Sequence, residues 1–291
     1  MALRIATRGS TLALTQAGEV AALLGGAELV EASSDGEPGD KSRFVRGVER
    51  ALLAGEAEVG VHSAKDLPGE LPAELEIAAV PTRQDPADVW VGAGGSLAEV
   101  PEGARVGTAS LRRRAQLLAA RPDLRVEELH GNVDTRLRKL AEGELDGIVL
   151  AAAGLRRLGR EAEIGFALGG GEMVPAPGQG CLALQVRRDD DASAAAAGAV
   201  TDLAAMRELT AERAAVAPLG ASCATPLGVH ARSGDGRMEI EAFVGLPDGS
   251  EWLRDRVEGP AEDPTALGFA LAERLLVAGA RELLERAEAA A

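Results

Sequence analysis

A chain of 291 residues, 46% hydrophobic and 26% charged, has enough apolar surface for two or three globular domains. Aromatics at 2% and the absence of Tyr leave a core of Leu, Val, Ile and Ala and argue against an aromatic platform for single-stranded nucleic acid. A formal net charge of -15 argues against broad phosphate binding, two cysteines cannot build a disulfide framework or a metal cluster, and no apolar run reaches the length of a membrane span.

In chain order, Leu3 to Ala6 reads as a strand and Leu12 to Leu24 as a helix with apolar spacings of three and four. Between them, Thr7-Arg8-Gly9-Ser10 offers an anion contact through Arg8 and Ser10, or simply a helix cap. Glu28 to Ala32 is strand-like, Phe44 to Leu53 helical and Glu58 to Val61 a buried strand. After that strand comes His62-Ser63-Ala64-Lys65-Asp66-Leu67-Pro68, where Lys65 and Asp66 read either as a surface ion pair or as a site at a strand end. Lysine is rare here, with only Lys41, Lys65 and Lys139. Strands follow at Ile77 to Val80 and Val89 to Gly92, with a hinge expected at Gln84-Asp85-Pro86. The opening Met1 to Thr7 has no apolar signal-peptide core, so the expected compartment is the cytoplasm.

The second stretch repeats the alternation. Arg105-Val106 is a strand, Leu111 to Ala120 a helix, Leu124 to Leu129 a strand, Val133 to Ala141 a helix and Ile148 to Ala151 a strand. The Arg112-Arg113-Arg114 run sits behind Thr108-Ala109-Ser110, and Ser110 is placed to cap the helix. Three guanidiniums in a first turn oppose the helix dipole, so either they form a solvated basic face or they bind an anion at the helix start. Arg136, Arg138, Arg156 and Arg157 also follow strand ends. Gly169-Gly170-Gly171 lacks both phosphate-loop patterns and reads as a flexible connection. Pro175 to Gly180 marks a second crossing between lobes, and Cys181 to Val186 a strand returning to the first sheet.

Beyond an Ala-rich helix surface at 192–197 and a helix from Leu203 to Ala215, the tail changes character. Strands at Leu227 to Ala231, Met238 to Val244 and Trp252 to Val257 follow one another, with a turn at Pro247 to Ser250 and one final helix from about Thr265 to Glu285. Cys223 lies in a Gly/Ser/Pro-rich loop, whereas Cys181 reads as a buried structural residue. His62 and His230 have no metal-ligand spacing around them and read as structural. The fold class is therefore α/β, with βαβ lobes followed by a separate α+β unit.

Six ordered motifs resemble the porphobilinogen deaminase (hydroxymethylbilane synthase) family. They are Ile5 to Ser10, His62 to Pro68, Val106 to Arg113, Gly131 to Arg136, Ala153 to Gly159 and Pro177 to Gly180, and the resemblance extends over essentially the whole chain. The resemblance implies two lobes like those of type-II periplasmic binding proteins, with mostly parallel mixed sheets, and a C-terminal α+β domain. The domains would be 1–82 with 181–199, then 87–175, then 203–291. It implies a transferase that deaminates and condenses four porphobilinogen molecules into linear hydroxymethylbilane, on a dipyrromethane cofactor covalently held by Cys223. Asp66 would be the catalytic carboxylate, holding pyrrole N–H groups and stabilising an azafulvene cation. Ser63, Lys65, Asp66, Thr108, Ser110, Arg112, Arg113 and Arg136 would bind the cofactor. Arg8, Ser10, His130, Asn132, Arg157 and Gln179 would bind the substrate. The expected partners are porphobilinogen alone, with no nucleic acid, membrane or metal, and a monomeric chain. Two departures stand out: His130 occupies a place where the family has Arg, and the segment Ser33 to Arg43 is shorter than the family's mobile loop. Ala109, where Ser is commoner, is minor. A non-catalytic two-lobed carboxylate-binding protein is the rival reading.

Overall fold

The computed structural model describes residues 3–33, 43–169, 171–220 and 225–289. The segment 34–42 and the loop with Cys223 lie outside the described residues. The first elements are β1 (Leu3–Thr7), α1 (Thr11–Leu23), β2 (Ala27–Glu31), α2 (Arg43–Leu53), β3 (Val59–Ser63) and β4 (Leu75–Ala79). The chain then crosses over to β5 (Asp88–Gly92), β6 (Arg105–Gly107), α3 (Leu111–Ala120), β7 (Arg125–Glu127), α4 (Val133–Ala141), β8 (Gly147–Ala151), α5 (Ala152–Arg157) and β9 (Phe166–Leu168). It returns through β10 (Leu182–Arg187) and α6 (Asp191–Gly198). It ends with α7 (Leu203–Val216), β11 (Leu227–Gly234), β12 (Arg237–Gly245), β13 (Trp252–Pro260), α8 (Pro264–Val277) and α9 (Ala280–Ala289).

Near-continuous burial explains why the short apolar runs become inner strands. Four of the five residues of β3, β5 and β8 are buried, as expected of strands covered on both faces. Among the described residues they assemble into two five-stranded sheets with one ordering principle, β2-β1-β3-β10-β4 and β7-β6-β8-β5-β9. In each sheet the first three strands are parallel, and the fourth, which arrives from a crossing, is antiparallel to both neighbours. β10 thus completes the first sheet and β5 the second. Parallel strands aim their carboxyl ends, and the loops that follow, at one edge of each sheet, where an open α/β sheet places its ligands.

The two crossings run side by side. Gln84 N–H donates to Gly180 O at 3.2 Å. Gly180 has φ +91°, and a Cβ there would stand 2.2 Å from Gln84 O, so only glycine allows the approach. The third unit is an antiparallel sheet, β11-β12-β13, with Val229, Met238, Ile240, Leu271, Leu275 and Leu283 in its core beneath α7, α8 and α9.

Three elements differ from the sequence expectation, among them the short helix α5, which it did not contain. The single last helix is two, because Gly279 adopts φ +98° between α8 and α9. The three-residue β9, too short for a periodic signal, was absent from the expectation. Among the described residues no helix is long and apolar enough to cross a membrane.

Candidate active site

The site begins at the strand ends of the first sheet. Ser10 caps α1 by accepting Ala13 N–H at 3.3 Å, which places Arg8 in the gap after β1. Ser63, the last residue of β3, is tied to α1 in both directions: Gln16 Nε2 donates to its Oγ at 2.9 Å, and its hydroxyl donates to Gln16 Oε1 at 3.1 Å. A single 3-10 turn over Ala64–Asp66 then sends Lys65 one way and Asp66 the other. Asp66 Oδ2 stands 3.6 Å from Arg8 Nη1 and keeps 38% of its side chain exposed. Lys65 Nζ donates to Gln179 Oε1 at 3.3 Å.

The second sheet uses the same position differently. Ser110 caps α3, accepting Arg113 N–H at 3.4 Å, and its own N–H goes to Thr108 Oγ1 at 3.2 Å. Arg112 and Arg113 then fall in the first turn, yet they are buried rather than solvated. Both converge on Asp88, the first residue of β5, which is fully buried. Arg112 donates to its two oxygens at 2.6 and 3.1 Å, and Arg113 Nε at 2.8 Å. Arg112 also bonds Val174 O at 2.7 Å and Arg113 bonds Val149 O at 2.9 Å. Burial works against the Asp88 charge, but the two guanidiniums outweigh it and hold the carboxyl well below the usual carboxylate range. The solvated-face reading of the arginine run therefore fails for Arg112 and Arg113. Arg114 is spent on Val126 O at 2.9 Å.

One carboxylate does not balance the cations gathered here. Burial, then the nearby Arg113, pushes the Lys65 ammonium down to about 8, against the pull of Asp66 and Asp88. Burial and Arg113 likewise push the Arg136 guanidinium down to about 10. A positive surplus in a partly buried cleft is costly without an anionic partner. A cavity of about 590 Å³ opens at the start of α3, between Thr108, Ser110, Arg114 and Glu128 on one side and Leu246 and Asp248 of the C-terminal unit on the other.

The remaining expected residues divide. Asn132 caps α4, accepting Thr135 N–H at 2.9 Å. His130 is 72% exposed and bonds Glu128 at 3.2 Å. Arg157 is buried at the end of α5, donating to Glu19 Oε2 at 3.1 Å and Gly180 O at 3.1 Å. Gln179 is 1% exposed; its amide donates to Pro86 O at 2.6 Å while its oxygen accepts from Lys65, so it braces a crossing. Burial pushes the Cys181 thiol up to about 12, which disfavours the reactive thiolate. His62 is buried against Gln185 at 3.0 Å, and burial pushes it down to about 4.

The sequence reading missed a second buried charge cluster. Arg83, in the first crossing, donates to Glu212 of α7 at 2.8 Å and to Gln179 O at 3.0 Å. Glu212 also accepts Gly178 N–H at 2.6 Å and Ala231 N–H at 2.8 Å, and it meets His230 at 3.2 Å. The C-terminal unit is thereby keyed to both crossings. The one available signal was the i,i+4 pair Glu208/Glu212 on α7, a helix that also carries Arg207 and Arg213, and it named no partner.

Residues 3–195 match the family model described as porphobilinogen deaminase, dipyromethane cofactor binding domain, and residues 206–277 match the porphobilinogen deaminase C-terminal domain. A porphobilinogen deaminase of Thermus thermophilus is 44% identical over 292 residues, covering 96% of this chain and 97% of that one. One of Syntrophus aciditrophicus is 42% identical over 302 residues, covering 98% and 99%. Among solved structures, the L-cystine solute receptor of Neisseria gonorrhoeae in its unliganded open conformation aligns at 16% identity. That alignment covers 68% of this chain and 84% of that one, with a TM-score of 0.40.

Proposed function

Because the chain belongs to the porphobilinogen deaminase family, we propose a division of labour among its residues for that family's reaction. The enzyme is a transferase of porphyrin biosynthesis that removes ammonia from porphobilinogen and joins four units into linear hydroxymethylbilane. Its cofactor is dipyrromethane. The rival reading, a non-catalytic carboxylate-binding protein, is set aside by these family matches.

The donor set fits that cofactor. Two pyrrole units carry four carboxylates, and the cleft holds a surplus of cations, visible in the lowered Lys65 and Arg136. This surplus is the observation that carries the assignment. Lys65, Arg112, Arg113 and Arg136, with the hydroxyls of Ser63, Thr108 and Ser110, hold the cofactor's carboxylates through charge-assisted bonds. Cys223 is assigned the covalent link, since Cys181, whose thiolate is disfavoured, is its only rival in the sequence. When bound, the dipyrromethane supplies the pyrrole end to which substrate units are joined.

Asp66 is assigned the catalytic role. Its carboxylate keeps 38% of its side chain exposed and stands 3.6 Å from Arg8, whereas Asp88 is fully buried between Arg112 and Arg113. From there it accepts the substrate pyrrole N–H, stabilises by charge the cation left when ammonia departs, and takes up a proton. Arg8, Ser10, His130, Asn132 and Arg157 receive the substrate's acetate and propionate. Gln179 acts on the substrate only by steadying Lys65, because both ends of its amide are occupied within the protein.

The strand grouping supports domains at 1–82 with 181–199, 87–175 and 203–291. The net charge supports a partner list of porphobilinogen without nucleic acid, and the family resemblance supports a cytoplasmic monomer. Quantifying ammonia and hydroxymethylbilane together tests the assignment. The wild type should release four ammonia molecules per product, and Asp66→Asn should lose both in parallel; a variant that still releases ammonia at the normal rate contradicts the role of Asp66.

A further inference from the structure

Arg157 lies at the end of α5, behind the second sheet's strand β8, while Glu19 lies on α1 beside the first sheet. Their 3.1 Å ion pair therefore spans the two lobes. The same seam brings Leu12, seven residues before Glu19 on α1, against Gly154, three residues before Arg157; a Cβ on Gly154 would stand 3.9 Å from Leu12 Cδ2. The pair is asymmetric. The Arg157 side chain is 4% exposed and anchored to Gly180 O at 3.1 Å, whereas the Glu19 side chain is 40% exposed. Arg157 is fixed and dry; Glu19 can swing into water at small cost.

We infer that Glu19 is a stand-in carboxylate: it occupies Arg157 while the substrate site is empty and is displaced by a carboxylate of the incoming porphobilinogen. The inference rests on the ligand role proposed above for Arg157. Its physical basis is that an isolated, buried guanidinium is strongly unfavourable. Condensing four units requires the substrate site to empty and refill repeatedly, so Arg157 would be stranded between additions unless another carboxylate took the place. An exposed Glu on a neighbouring helix is a weak enough partner to yield to a substrate that brings further contacts. Glu19 thus sets the threshold that a substrate carboxylate must exceed, and it is an affinity-setting residue rather than a catalytic one.

Steady-state kinetics of the holoenzyme with Glu19→Gln, Arg157→Gln and the double variant test this. Removing the competitor should lower KM for porphobilinogen about two- to fivefold in Glu19→Gln, the range expected for a partly exposed ion pair. In the Arg157→Gln background the Glu19 substitution should leave KM unchanged. A KM in Glu19→Gln that stays constant or rises, while Arg157→Gln alone raises KM, would overturn the inference and make Glu19 a structural support of Arg157. If Arg157→Gln leaves KM unchanged, the ligand role of Arg157 falls, and the stand-in role falls with it.

Discussion

The two lobes share a strand order and gather their polar groups at the edge where the parallel strands end, Asp66 after β3 and Asp88 at the start of β5 opposite the end of β8, yet they treat charge in opposite ways. In the first, Asp66 and Arg8 stand 3.6 Å apart with 38% and 29% of their side chains exposed. In the second, Asp88 is fully buried between Arg112 and Arg113, with bonds of 2.6 to 3.1 Å. Topology therefore decides where side chains gather and not what they do there. The partly exposed carboxylate lies within reach of solvent and is the one proposed to meet a developing cation. The dry, clamped one is a frame that keeps two arginines charged and aimed.

The largest expected effect breaks the clamp. Asp88→Ala leaves Arg112 and Arg113 buried without their carboxylate and should cost roughly 3 to 5 kcal/mol of stability in urea denaturation. A loss below about 1 kcal/mol would mean that the two lobes do not differ in this way. Asp66→Asn should do the converse. Turnover should fall about a hundredfold or more, while stability changes by no more than about 0.5 kcal/mol, as for other substitutions at exposed sites. If Asp66→Asn instead unfolded the protein, the carboxylate would belong to the frame.

Lys65 sharpens the comparison, because it belongs to the first lobe but feels the arginines of the second. Its folded value of about 8 lies below its ordinary 10.5. The unfolded chain therefore binds more protons between those values, and the cofactor-free protein should gain stability as pH rises from 8 to 10.5. Lys65→Met should lack that gain, and bound carboxylates should abolish it by favouring the charged form. Denaturation at pH 8 and pH 10 with and without cofactor checks this; equal profiles for wild type and Lys65→Met would remove Lys65 from the cation group. The smallest effect belongs to His130. Since it is 72% exposed and bonded to Glu128, His130→Arg should change KM by about twofold or less between pH 6 and 9. A larger change would mean that the His130 contact with the substrate is a strong one and not the weak rim contact its exposure supports.

What was legible in the sequence was local. Ser10 and Ser110 cap helices as their spacing suggests, because an N-cap depends only on the next three residues, and Asn132, expected only as a substrate ligand, also caps α4. The strand ends that carry Arg8, Lys65 and Asp66 were visible as breaks in apolar runs. The partners of those groups were not. Asp88 is 24 and 25 residues from Arg112 and Arg113, Glu19 is 138 from Arg157, and Glu212 is 129 from Arg83. Each pairing exists only because a crossing strand or a neighbouring unit brings distant segments together, and no periodicity records that. The same limit hid the bonds of Gln179, since only the folded crossings show its amide donating to Pro86 O and accepting from Lys65.

On the function proposed, this chain elongates a product on a primer covalently held by Cys223, within a cleft whose cation surplus is matched to the primer's carboxylates. Intact-mass spectrometry of the purified wild type, Cys181→Ala and Cys223→Ala tests it most directly. Wild type and Cys181→Ala should each carry an added mass of two pyrrole units, and Cys223→Ala should carry none. An unmodified wild type, or an adduct that persists in Cys223→Ala, would contradict the account.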